Sequence, residues 1–192
     1  MFHGEMNNMN YYILQQDPRI LDHAYAMSGP PNVDPLDLID GKILPDPGPL
    51  RLSLSPRSGK FRGAIIGGLV TLFHQRFIAE LLRLGIDNFQ CFPVELVNPD
   101  GGIELTYSLI NVIGLLEAVN EKESAIKPRA TGGRGQLYSF KIDSGKTMGQ
   151  QLFRIAEAPS LIIIDESLRE SLLVFNAPGI LMLPTERYDG WG

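Results

Sequence analysis

The hydrophobic pattern changes period twice between Ser160 and Glu186, SLIIIDESLRESLLVFNAPGILMLPTE. Leu161–Ile164 is an unbroken aliphatic run, the pattern of a strand buried on both faces. Asp165 follows as an N-cap type, and Leu168, Leu172 and Phe175 are spaced for one face of a short helix. Asn176 suits a left-handed C-cap, Pro178-Gly179 a turn, and Ile180–Leu183 a second strand. The stretch therefore predicts strand, helix, strand.

The same pattern occurs once before. A shift of 91 residues (184 minus 93) lays Leu69–Glu95 over it without a gap. Leu69–Phe73 falls on the first strand, Phe77, Leu81 and Leu82 on Leu168, Leu172 and Leu173, and Gly85 on Asn176. Both copies end on an apolar residue, Pro, any residue, Glu. These two units give a scaffold rather than a chemistry.

Elsewhere the pattern is less regular. Tyr11–Leu14 reads as a short strand, and Asp17–Ala26 as a helical turn or irregular chain. Val94–Val97 and Ile103–Thr106, on either side of the turn signal Asn98–Gly102, predict a hairpin. Leu109–Val119 has helical spacing but could begin as strand. Leu137–Ile142 reads as strand, and Thr147–Ile155 as a short helix or strand. Ser28–Pro56 differs in kind. It holds Pro30, Pro31, Pro35, Pro45, Pro47, Pro49 and Pro56, so regular helix is excluded there. It also carries Asp34, Asp37, Asp40 and Asp46 against Lys42 and Arg51. Its aliphatic residues are too many for a linker, which predicts an extended segment wrapped over the body. The aspartates read either as solubilising charge or as a docking strip for a basic partner.

Composition narrows the class. The 192 residues, 44% hydrophobic and 20% charged, suffice for a real core. A net charge of −5 argues against sequence-independent nucleic-acid binding. The one cysteine, Cys91, falls in a predicted strand, is expected in the core, and points to a reducing compartment. No secretory signal is visible at the start, and the longest apolar run, Ala64–Phe73, is too short to span a bilayer. The expected location is cytoplasmic.

A search for chemistry finds little. Ser144-Gly145-Lys146-Thr147 resembles the end of a phosphate-binding loop, but Phe140 stands where the loop needs its first glycine. His3, His23 and His74 have no metal-ligand spacing, and no metal or other cofactor is expected. His74 reads as a helix-start residue. Asp165-Glu166 is best read as a helix cap. Glu95 and Glu186, ending the two matched strands, are candidates for a paired-carboxylate site on one side of a sheet. The basic stretch Lys127–Arg134 reads as a solvated loop.

Four segments in order, NYYIL, LFHQRFIAELLRLGIDNFQCFPVEL, YSLINVIGLLEAVNEKES and APSLIIIDESLRESLLVFNAPGILMLPTE, resemble the eleventh immunity-protein family of bacterial polymorphic toxin systems. Tyr107 and Asn111 occupy that family's Tyr-to-Asn segment, and Glu121-Lys122-Glu123-Ser124 follow it. The Pro-rich acidic segment has no counterpart in the match. The resemblance implies a non-catalytic protein that binds a secreted toxin, frequently a nuclease delivered by type VI secretion, inside the producer or its kin. On that basis Asp34, Asp37, Asp40 and Asp46, with Tyr188 and Trp191 as aromatic anchors, are the expected toxin-binding residues. The expected partner is a basic nuclease domain, with neither nucleic acid nor membrane bound directly. The expected fold is α+β, or mixed α/β: two strand–helix–strand units around a central sheet, as one domain over residues 1–192. Residues 1–58 form its extended Pro/Asp-rich segment and 59–192 its α/β body. The rival readings are a small enzyme using Glu95, Glu186 or Asp165, and an adaptor subunit of a secretion apparatus.

Overall fold

The computed structural model describes residues 9–127 and 135–190. Along the chain lie β1 (Tyr11–Gln16), β2 (Tyr25–Ala26), β3 (Leu50–Ser53), β4 (Ile65–Gly68), β5 (Leu72–His74), α1 (Gln75–Arg83), β6 (Phe89–Val97), β7 (Ile103–Glu104), β8 (Tyr107–Val112), β9 (Leu115–Leu116), β10 (Ile126–Lys127), β11 (Gln136–Leu137), β12 (Leu152–Ile155), β13 (Ala158–Asp165), α2 (Glu166–Phe175) and β14 (Ile180–Pro184). The fold is mixed α/β.

Both strand–helix–strand units are present, and they share a topology that the pattern alone does not give. β13 and β14 do not pair; β1 lies between them, antiparallel to both. In the same way β8 lies between β5 and β6, antiparallel to both. Each unit is thus split by a strand from elsewhere, supplied from before the unit in one case and from after it in the other. The helix ends match as well. His74 and Asp165 accept from backbone N–H groups at the starts of α1 and α2. Gly85 and Asn176, which the alignment superposes, both take positive φ at the ends, +82° and +54°.

The units do not surround one central sheet. The second belongs to a five-stranded sheet ordered β14-β1-β13-β12-β9, the first to a seven-stranded sheet running β2-β4-β5-β8-β6-β3 with β7 beside β6. The edges of that larger sheet meet. Ala26 bridges Leu54 antiparallel, Met27 N donates to Ser53 O at 3.2 Å, and Ser55 N donates to Tyr25 O at 3.1 Å. The sheet therefore closes into a small barrel, which removes both its edges.

Alternation along the strands sorts side chains into three layers. Ile66, Leu72, Val94, Leu96, Tyr107 and Leu109 fill the barrel with Leu50, Leu52 and Leu54. Ile65, Phe73, Ile110 and Val112, on the outside of the same strands, form a middle layer with Tyr12, Leu14, Ile162 and Ile164 of the second sheet. Both helices contribute to that layer through Phe77, Ile78 and Leu81, and through Leu168 and Leu172. Tyr11, Ile13, Phe153, Leu161 and Ile163 face the third layer, covered by Val119, Leu137 and Phe140. Leu161–Ile164 is thus buried on both faces, as its unbroken run predicts.

Several expectations change. Leu69 and Val70 are a turn between β4 and β5, so the strand predicted from Leu69 begins at Leu72. Leu109–Val119 holds no helix: β8, inserted between β5 and β6, runs to Val112, β9 (Leu115–Leu116) joins the other sheet, and Val119 makes one bridge. The Leu137–Ile142 strand reduces to β11 and one bridge, Val119 to Ile142. Cys91 is exposed rather than in the core. Val94 and Leu96 point into the barrel, so the odd positions of β6 face outward, and Cys91, Pro93 and Glu95 are all exposed.

Candidate functional site: an acidic strap over one barrel end

Residues 28–56 run as the sequence predicts, as an extended strap whose apolar groups are pinned to the body. Leu38, in a single 3-10 turn (Asp37–Ile39), is buried in the barrel core, with Val33 and Leu44 half-buried beside it. The strap ends as β3, parallel to β6, with Leu50, Leu52 and Leu54 inward.

Two amides of the barrel wall hold the strap's backbone. Gln90 on β6 accepts from Leu44 N at 2.8 Å and donates to Leu44 O at 2.9 Å. Asn111 on β8, fully buried, donates to Lys42 O at 2.7 Å and to Gln90 Oε1 at 2.9 Å. Proline-rich chain cannot supply a regular ladder, and these side chains supply peptide-like partners instead. Gly41 completes the attachment. Its carbonyl accepts from Gly114 N at 2.9 Å, and at φ +70° a Cβ would lie 2.7 Å from Leu115 N. Only glycine permits that approach.

The pinned strap presents Asp34, Asp37, Asp40 and Asp46 to solvent. Asp34 Oδ1 accepts from Leu36 N and Asp46 Oδ1 from Gly48 N, each at 2.9 Å, so two of the carboxylates also shape turns. Asp40 lies 3.0 Å from Lys42 Nζ, an exposed pair. Between the acids stand two exposed aliphatic groups, Leu36 (65%) and Ile43 (74%). Aliphatic residues among carboxylates make a surface that suits a basic, partly apolar protein face.

Tyr188 lies elsewhere. It packs edge-on against Phe140 at 5.8 Å and belongs to the third layer, against the five-stranded sheet. Trp191 lies outside the described residues, as do Arg129 and Arg134 of the basic stretch. Lys127 sits 4.2 Å over the Tyr138 ring.

The carboxylates proposed for an enzyme are separated. Glu95 is on the barrel exterior, 3.9 Å from Arg51, and Glu186 follows β14 of the other sheet, so they do not share one sheet side. Asp165 is buried and accepts from Leu168 N at 2.8 Å, as a helix cap; burial raises its pKa against the pull of that bond. His74 caps α1 through Nδ1, accepting from Arg76 N at 3.1 Å, and burial lowers its pKa. Among the described residues no group of His, Cys, Asp and Glu could hold a metal ion, and no helix is long and apolar enough to cross a membrane.

Sequence reasoning missed three structural roles. Gln90 and Asn111 hold the strap, and Arg154, buried in β12, donates from Nη1 to Pro159 O and Ser160 O beside the β12–β13 bulge, with burial depressing its pKa to about 10. A polar residue inside an apolar run, as in YSLINV and LFRI, is the signal that could have found Asn111 and Arg154. Tyr107 and Asn111, singled out by the segment Tyr-to-Asn, have separate structural work: Tyr107 donates its hydroxyl to Gly63 O at 2.6 Å, while Asn111 ties down the strap.

Against known proteins, the family described as Immunity protein family (Imm11) matches residues 4–184, nearly the whole chain. No curated protein matches it.

Proposed function

Because the chain belongs to the Imm11 immunity protein family, we propose that it binds and neutralises a cognate antibacterial toxin in the cytoplasm of the producing cell, using the acidic strap as the contact surface. The toxin is a nuclease delivered by type VI secretion, with a basic substrate cleft facing the strap. The whole chain works as one binding domain and transforms nothing itself. The observation that supports this reading is the strap itself. Its backbone is fixed by Gln90, Asn111 and Gly41, while Asp34, Asp37, Asp40 and Asp46 remain exposed around Leu36 and Ile43. A fixed loop loses little conformational entropy on docking. Its charge steers a basic partner, and its aliphatic groups give the complex residence time. Tyr188 and Trp191 belong to this reading only as a second contact region, since Tyr188 lies against a different layer.

The test uses the full chain and the toxin domain encoded beside it. The variant carrying Asp34→Lys, Asp37→Lys, Asp40→Lys and Asp46→Lys should associate at least about tenfold more slowly at low salt. The gap should narrow as ionic strength rises. Equal association rates would remove the strap from the interface. Undiminished protection of kin cells lacking the gene would remove the immunity function.

A further inference from the structure

The two terminal strands of the barrel meet, but among the described residues those of the five-stranded sheet do not. β14 is its terminal strand, and among the described residues no strand lies on its far side. Which backbone groups face outward follows from the register. Asp17 N donates to Gly179 O at 2.9 Å, which makes 17 and 179 a hydrogen-bonded pair of the β1–β14 ladder. Antiparallel pairs alternate, so Gln15↔Leu181 and Ile13↔Leu183 are also hydrogen-bonded pairs. Ile180 and Met182 therefore turn their N–H and C=O groups away from β1. At position 184 the C=O faces outward too, but Pro184 has no N–H beside it.

Natural edge strands are commonly protected by charge, by bulges or by cover. From Ala177 to Pro184 this chain carries no charged residue, and all of Ile180–Pro184 is half-buried. Pro184 blocks one end, and the barrel covers the other, where Ala64 N donates to Pro178 O at 2.8 Å. What lies between is a short, apolar and uncharged edge with two outward donors.

We propose that β14 pairs with β14 of a second copy of this chain, antiparallel across a two-fold axis at Leu181 or Met182, joining two five-stranded sheets into one. Self-pairing fits this edge because its sequence is apolar and neutral throughout, so like meets like without charge repulsion. In either register Ile180 and Met182 of each copy donate to carbonyls of the other. Pro184 then loses no bond of its own, and it stops the pairing from running further. A basic partner finds its complement on the acidic strap, not here. The contact is small, so the dimer is weak and concentration-dependent.

Sedimentation velocity of the full chain from about 1 to 200 µM tests this. The expected result is a shift toward twice the monomer mass over that range. Leu181→Lys, which puts an ammonium group from each copy into an apolar seam in either register, should abolish the shift. Met182→Pro, which removes an outward donor that β1 does not use, should do the same. Circular dichroism and thermal midpoints serve as the check that each variant is folded. In the wild type, amide exchange at Ile180 and Met182 should slow as concentration rises, while exchange in β12 does not. A wild type that stays monomeric throughout overturns the proposal, including where β14 takes a strand from a different protein. So does a dimer that survives both folded variants.

Discussion

Gln90→Ala is the perturbation that separates the strap from the body. The wild-type side chain makes hydrogen bonds to Leu44 N, Leu44 O and Asn111 Nδ2, between 2.8 and 2.9 Å. Each is worth about 0.5–1.5 kcal/mol net. Leu44 is half-buried, so its backbone groups recover part of that from water once the strap lifts. The bond to Asn111 joins two strands of the barrel wall and does not break when the strap opens, so only the two bonds to Leu44 count, and we expect strap opening to become easier by about 1–2 kcal/mol, the lower half of their sum. Asn111 keeps its bond to Lys42 O, and Gly41 keeps its bond to Gly114, so the strap loosens without detaching from the fold. Native-state amide exchange reads this directly. Exchange at Leu44 should accelerate roughly 5- to 30-fold, the equivalent of that free energy where opening is local. Amides of β13 should change far less, since its pairing and layers do not involve Gln90. Because Asn111 donates to the same Gln90 oxygen, adding Asn111→Ala should cost less than the sum of the two single changes. Unchanged exchange at Leu44 would refute the view that side-chain amides hold the strap. Equal acceleration in β13 would show that Gln90 serves the whole fold instead.

Three further outcomes follow from the same structure. Asp165→Asn should leave chemical unfolding stability equal or higher at neutral pH. Asn caps a helix as well as Asp, and the neutral amide avoids burying a charge, while the raised pKa of Asp165 means that this cost appears as pH rises through its titration and is absent in acid. The advantage of the variant should therefore vanish at low pH, and Asp165→Ala should lose about 1 kcal/mol by removing the cap. His74→Ser should flatten the fall in melting temperature on acidification: a His with lowered pKa contributes its stability above its ordinary value of 6.5 and loses it as pH falls toward the folded pKa, whereas serine caps at every pH. Leu38→Ala should cost about 2–5 kcal/mol in denaturant unfolding, because this side chain is buried at the strapped end of the barrel.

The sequence carried what depends on neighbouring residues. Periodicity and capping chemistry placed both strand–helix–strand units, their start residues His74 and Asp165, and the positive-φ ends at Gly85 and Asn176, since each is decided within one turn of chain. The same holds for the strap, where prolines exclude helix and aliphatic residues demand contact. Tertiary structure decided which strands meet. No local signal says that β1 enters the second unit, that β8 enters the first, or that Ala26 reaches Leu54 to close a barrel. Those pairings join residues far apart in the chain, and their free energy depends on a shared core that no window of sequence contains. The face on which a strand residue lands follows from pairing too, which is why Cys91 is outside and Asn111 inside. The acids of the strap could be read from the sequence; that they stand on a backbone held by Gln90 and Asn111 could not, because the holding residues come from two strands brought together only by folding.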